Sequence, residues 1–316
     1  MQMLRHPAVK ATRTRFSAAL LIAGSILPSC MPKEQPKLFP PPDCSDMTMT
    51  VEQIDACWAA KESFVPLYPV TRAEAADRQP DAGPAMKVAI PPGCAENMSR
   101  VGPFCIDRYE AYVVSVSSPE GTAHPFNEPL GSGRFIAKSA PGVFPQAHIS
   151  GEQASDACMN AGKRLCTMAE WQSACMGSRG FAYPYGNEKM SGTCNSGKRW
   201  GPGLLSGGPS YNLNDPRLNL LEGGLARSGE YDLCVSDHNV YDMVGNLHEW
   251  VSTRVDQSMV GSGKTNIPGL YVVAGNGIFM GGFYTLDASC RYKIIAHPFS
   301  HYDYSTGFRC CMDPKK

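Results

Sequence analysis

The residues best suited to chemistry lie in one ten-residue stretch, Tyr241-Asp242-Met243-Val244-Gly245-Asn246-Leu247-His248-Glu249-Trp250. Asp242 and Glu249 are hard carboxylate ligands on what reads as a tight loop, and Gly245 and Leu247 can turn backbone carbonyls inward between them. Four oxygens from eight residues suit a small calcium cage completed by water. Two further histidines, His297 and His301, are four apart, which is a helical ligand spacing. Pro298 stands between them in a loop-like stretch, and spacing places no carboxylate beside them, so they read as surface or hydrogen-bonded histidines. The sequence contains no Gly-x-Ser-x-Gly elbow, no phosphate-cradling glycine loop and no metalloprotease helix. Gly201-Pro202-Gly203 and Gly207-Gly208-Pro209 read as turns.

The elements that must position these residues belong to a chain of 316 residues with a formal net charge of zero, 31 glycines, 26 prolines and 43% apolar residues. The composition implies many loops and turns around a core of useful size. No basic patch stands out, which argues against nucleic acid as a partner. Residues 1–29 read as an export signal, with Arg5, Lys10, Arg13 and Arg15 ahead of an apolar stretch over residues 16–27 that is too short to span a bilayer. Leu27-Pro28-Ser29-Cys30 resembles a bacterial lipobox, with Cys30 as the lipidated residue, although Pro28 is unusual there. Met31 follows without an inner-membrane retention aspartate, so the expected destination is the outer membrane, facing the periplasm or the cell surface. Removing residues 1–29 leaves 25 basic against 29 acidic groups.

Setting Cys30 aside leaves 12 of the 13 cysteines, an even number that reads in an exported chain as a disulfide framework. Residues 30–85 form the expected tether. Within it Cys44 and Cys57 bracket a short helical pattern that a bridge would staple, and the main domain is expected over residues 86–316. Cys94 and Cys105 bracket an expected hairpin with its loop at residues 95–99. Ser150 with Gln153, and Thr167 with Glu170, are capping boxes that open two helices. The first buries Ala154, Ala157 and Cys158, and the second buries Trp171, Ala174 and Cys175. Late strands are expected at residues 271–273, 278–284, 290–295 and 307–311.

Three segments in fixed order carry a resemblance: Gly162-Lys163-Arg164-Leu165-Cys166-Thr167-Met168-Ala169-Glu170-Trp171, the stretch from Tyr241 to Trp250, and Gly281-Gly282-Phe283-Tyr284 closing with Gly307-Phe308-Arg309-Cys310. With Phe104-Cys105-Ile106-Asp107-Arg108-Tyr109-Glu110 and Tyr183-Pro184-Tyr185-Gly186-Asn187, they make residues from about 92 to 312 similar to the formylglycine-generating-enzyme (sulfatase-modifying-factor) domain family. The resemblance implies an α+β, C-type-lectin-like fold, loop-rich, with twisted antiparallel strands and two main helices. It implies bridges Cys158–Cys310 and Cys175–Cys290, and structural calcium on Asp242, Gly245, Leu247 and Glu249, with a second calcium near Asn195 and Ser196. Spacing does not determine how Cys166, Cys194, Cys234 and Cys311 pair; Cys194–Cys234 and Cys166–Cys311 are the working assignment.

The same resemblance exposes a mismatch. Enzymes of this family oxidise a sulfatase cysteine to formylglycine with oxygen and copper(I), which is held by two thiolates as its softness favours. Here Leu286 stands at the first thiolate position and Arg291 at the second, with Cys290 one residue away. Phe283 replaces the family's pocket serine, and His248 replaces a pocket aromatic. Copper is therefore not expected, and no catalytic residue is assigned. His248, Phe283 and Arg291 would instead line a pocket for an anionic or aromatic ligand. The expected role is a lipid-anchored domain that binds a small ligand or a protein partner. The alternative is an oxidoreductase of this superfamily with a rearranged metal site.

Overall fold

The computed structural model describes residues 89–117, 121–197, 212–221, 223–260, 272–283 and 288–315. The export signal, Cys30, the Cys44–Cys57 staple, the tether and Leu286 lie outside the described residues. All the described residues belong to one unit, Pro66–Lys316.

The chain opens with a hairpin, β1 (Met98–Val101) and β2 (Phe104–Asp107). Its turn is Gly102-Pro103, since Val101 pairs with Phe104. The loop expected at residues 95–99 is shorter, because Met98 and Ser99 are already paired with Asp107 and Ile106. Met98 is fully buried, and its apolar side chain is better satisfied in a strand than in a loop. A second hairpin, β3 (Ala111–Ser115) with β4 (Phe135–Ser139), follows.

Two helices carry the signals expected of them. Helix α1 (Gly151–Asn160) is capped by Ser150, whose Oγ accepts from Gln153 N at 3.2 Å while Gln153 Oε1 accepts from Ser150 N at 3.1 Å. Helix α2 (Met168–Met176) is capped in the same reciprocal way by Thr167 and Glu170. Each box satisfies two of the amide donors that a helix start leaves unpaired. Between the helices lies β5 (Arg164–Leu165).

The remaining elements are a single 3-10 turn (Leu218–Leu220), β6 (His248–Arg254), the short helix α3 (Gln257–Val260), β7 (Gly277–Met280), β8 (Lys293–Ile294), β9 (Thr306–Phe308) and β10 (Cys310–Met312). Residues 272 and 273, expected in a strand, form none. One four-stranded sheet runs β1-β2-β10-β5, and another runs β8-β7-β6-β9. Pairing is antiparallel except between β6 and β9, which run parallel. Only Arg309 separates β9 from β10, so this residue passes the chain from one sheet to the other.

Side-chain alternation along the strands divides the core. On β6, Trp250 packs with Ile149, Phe279, Phe299 and Phe308, while Val251 packs with Trp171, Val240, Met243 and Ile278. The neighbouring Cys310 and Cys311 likewise point to opposite faces, and bridge to Cys158 on α1 and to Cys166 after β5. Three more disulfides join Cys94 to Cys105, Cys175 to Cys290 and Cys194 to Cys234. Five bridges among the described residues mark a chain that folds in an oxidising compartment.

Candidate functional site

The stretch from Tyr241 to Trp250 enters β6 through three residues in the left-handed backbone region, Asp242 (φ 57°), Gly245 (φ 84°) and Asn246 (φ 58°). Gly245 is required twice over: by its φ, and because a Cβ there would lie 2.4 Å from the Asn195 carbonyl oxygen. Asn246 is the hub of the loop. Its side-chain amide donates to Glu110 Oε2 at 2.5 Å and to the Ala226 carbonyl, and its Oδ1 accepts from Asn195 Nδ2 at 2.7 Å and Ala226 N at 2.8 Å. Leu247 N donates to Glu110 Oε1 at 3.1 Å.

Period-two alternation then sends Glu249 and His248 to opposite faces. Glu249 turns toward Trp171, whose Nε1 donates to Oε2 at 2.8 Å. Arg309 Nε donates to Glu249 Oε2 and its Nη2 to Oε1, both at 2.6 Å. Arg309 also donates to the backbone carbonyls of Asp107, Arg108 and Tyr241, so the buried guanidinium is fully used. Asp107 in turn accepts from Lys163 Nζ at 2.6 Å, and Arg164 makes a paired contact with Glu170. The two basic residues of the first motif are structural.

Glu110, Asp242 and Glu249 form a buried acidic group beside the buried Arg309 guanidinium. Burial pushes the Glu110 carboxyl well above its ordinary range, and the charges of Asp242 and Glu249 push it further. Burial likewise raises Asp242, to about 7, although Gly229 N donates to its Oδ2 at 2.6 Å. Among the described residues no group of three or more His, Cys, Asp or Glu side chains is placed to hold a metal ion. Glu249 is the expected ligand least free to serve, since both its oxygens already accept hydrogen bonds. Near the expected second calcium, Asn195 Oδ1 is buried and without a hydrogen-bond partner among the described residues.

On the opposite face, His248 is 3% exposed, and neither ring nitrogen has a hydrogen-bond partner among the described residues. Aromatic rings surround it: Phe279 edge-on at 5.1 Å, Tyr292 at 6.1 Å and Phe283 stacked at 6.4 Å. Burial first, and then His297 and His301, hold it down to about 4, so the ring is neutral at physiological pH, with one donor and one acceptor. The structure thus brings His248 and Phe283 together, while Arg291 is exposed. Cys290 is a bridge half with Cys175 and offers no thiol.

Sequence reasoning did not assign roles to Glu110, Asn246, Arg309 and Asp303. Glu110, Asn246 and Arg309 stand inside motifs already singled out, and their polar side chains among apolar neighbours were the available signal.

A model of the sulfatase-modifying factor enzyme 1-like domain matches residues 70–314. The chain is 29% identical over 176 residues to a formylglycine-generating enzyme of Streptomyces coelicolor, a match covering 54% of this chain and 52% of that one. It is 29% identical over 140 residues to the inactive C-alpha-formylglycine-generating enzyme 2 of Bos taurus, covering 42% and 41%. The chain therefore spans about half the length, or less, of these curated relatives. Among solved structures, PvdO from Pseudomonas aeruginosa aligns with a TM-score of 0.41 and 15% identity, over 66% of this chain and 80% of that one.

Proposed function

The chain belongs to the sulfatase-modifying factor enzyme 1-like family, and from that premise we propose that it is a member without oxidase chemistry, whose pocket at His248 and Phe283 binds a small anionic or aromatic ligand. The observation that carries this reading is His248: a buried, neutral imidazole with both nitrogens unpartnered among the described residues, inside a ring of aromatic side chains. A buried polar group left unpaired costs about 1–3 kcal/mol, a penalty that a ligand bonded to both nitrogens would remove. The loss of copper chemistry is supported by Leu286 and Arg291 at the thiolate positions and by Cys290 in a bridge. One relative's name, which calls it inactive, is in keeping with this.

Within the same reading, the chain is exported and anchored through a lipid on Cys30, in a bacterial outer membrane, and structural calcium lies on Asp242 with the carbonyls of Gly245 and Leu247 and a lone pair of Glu249. The five disulfides support the export step.

The test is a thermal-shift screen of small anionic and aromatic compounds on the wild type and on His248→Phe. We expect at least one compound to raise the wild-type melting temperature and to lose its effect on the variant. The unliganded variant should melt higher than the wild type, because it no longer buries two unpaired nitrogens. A screen that moves nothing, or formation of an aldehyde on a sulfatase cysteine peptide with copper(I) and oxygen, would sink the reading.

A further inference from the structure

Helix α1 holds the segment that leads into β4 by two side-chain amides. Gln153 and Asn160 lie seven residues apart, two turns of helix, and so project from the same side. Gln153 Nε2 donates to the Leu130 carbonyl at 3.2 Å, and Asn160 Nδ2 donates to the Phe135 carbonyl at 2.9 Å. The oxygen of each amide is used as well. Gln153 Oε1 accepts from Ser150 N at 3.1 Å, and Asn160 Oδ1 accepts from Arg134 Nη2 at 3.0 Å. The Arg134 carbonyl accepts from Val116 N at 2.9 Å, which fixes that residue from the other side. The segment is therefore clamped to the helix at both of its ends.

Between the clamps lies a cleft of about 190 Å³. Its floor is apolar and fixed. Leu130 is 7% exposed and Ala157 1%, and both belong to the core cluster that contains Trp250. Gly131 and Gly133 contribute backbone alone to one wall, and Met159 offers exposed apolar surface at the rim. Two charged side chains line the cleft, Arg134 and Asp156, both exposed. They share the cleft without pairing with each other. Arg134 spends one nitrogen on Asn160, and Asp156 makes no ion pair among the described residues. The volume is below the roughly 300–1,000 Å³ of sites for drug-sized molecules and above the roughly 150 Å³ that admits benzene. It suits a ligand the size of one amino acid.

We propose that this cleft binds a zwitterionic α-amino acid with an apolar side chain, its carboxylate facing Arg134, its ammonium facing Asp156 and its side chain resting on Leu130 and Ala157. The two unpaired charges define the class. A guanidinium takes a carboxylate through parallel N–H donors, and a carboxylate takes an ammonium. A ligand with one charge meets only one of them, and a doubly charged ligand of either sign is repelled on one side. The apolar floor disfavours a polar side chain, which would be buried there without a partner. The clamps keep the cleft in shape before the ligand arrives, so binding does not have to order its walls. The cleft shares no residue with the His248 pocket or with the proposed calcium loop.

The experiment screens L-alanine, L-valine, L-leucine, L-isoleucine, L-methionine and L-phenylalanine against the full-length protein by saturation-transfer NMR, and measures the Kd of the tightest by calorimetry. We expect Arg134→Gln and Asp156→Asn each to weaken binding about three- to tenfold, as suits charge-assisted contacts at an exposed rim, and the double variant to weaken it further. Both side chains are exposed, so these variants should fold as the wild type does. The same compound without its carboxylate, or without its ammonium, should bind more weakly by a similar factor. Lys138→Gln, a charge change on β4 outside the cleft, should leave the affinity unchanged. The Met159 methyl resonance should shift on binding, and the His248 ring resonances should not. No binding by any of these compounds, affinity undiminished in the folded Arg134→Gln/Asp156→Asn variant, equal affinity for the singly charged analogues, or shifts at His248 without shifts at Met159 would each overturn the proposal. The thermal-shift test of the His248 pocket stands or falls separately.

Discussion

Arg309 holds Glu249 in a paired contact of 2.6 Å on each side, with side-chain exposures of 0% and 1%. Burial opposes the charge on Arg309, but Glu249 foremost, with Glu110 and Asp242, keeps the guanidinium above its ordinary pKa. The pair also joins β6 to the crossing between the two four-stranded sheets.

Removing one side of this pair should be severe. Arg309→Met leaves Glu249 buried without its cation, at a cost of about 3–5 kcal/mol. The double variant Arg309→Met/Glu249→Leu should recover part of the loss, since it removes the orphaned Glu249 charge, while Glu110, Asp242 and three backbone carbonyls still lose the guanidinium. Urea unfolding of the three proteins measures this. Equal loss in the single and the double variant would show that the backbone contacts of Arg309, not its charge, carry its effect.

The Cys175–Cys290 bridge closes a separation of 115 residues. In the chain-entropy model such a loop is worth about 4–5 kcal/mol. Cys175→Ser/Cys290→Ser should therefore lower the unfolding midpoint sharply while leaving ligand binding at His248 intact below it. Calorimetry with a parallel binding assay separates the two effects. A variant as stable as the wild type, but inactive in binding, would give Cys290 a different role.

His148 supplies a pH dependence with a definite sign. Asn219 Nδ2 donates to the Tyr304 carbonyl at 2.8 Å, which turns its Oδ1 toward His148 Nε2, also at 2.8 Å. Burial lowers the His148 pKa below 6.5 against the pull of these bonds. A histidine depressed in the folded state binds fewer protons there than when unfolded. Its contribution is complete above the unfolded pKa and declines as pH falls below 6.5 toward the folded value. His148→Asn should flatten the fall in stability as pH drops below about 6.5, measured from denaturation midpoints across a pH series.

Calcium should be visible as stability. With a chelator the wild type should melt lower than with excess calcium, and Asp242→Asn should remove the difference. Paired thermal melts in chelator and in calcium, with magnesium as a control, check this. Identical melting in both conditions would remove calcium from the loop. The buried charge of Glu110 and Asp242 would then be relieved by protonation alone.

The sequence by itself determined the local features. Both capping boxes, the helices they open and the even complement of cysteines were legible, because each depends on residues within a few positions of one another. The motifs of residues 162–171 and 241–250 were legible for the same reason, and with them the fold family. What only the tertiary structure decided are contacts between residues far apart in the chain. Glu110 reaches Asn246, Arg309 reaches Glu249, and Cys166 finds Cys311. The histidine pair shows the limit most clearly. Pro298 argues against a helix, and that much is correct, but a turn pinned by Phe299 beneath α1 brings His297 and His301 together just as closely, with Asp303 behind them. No periodicity signals a turn of that kind, because its shape is set by the core it packs against rather than by the preferences of its own residues.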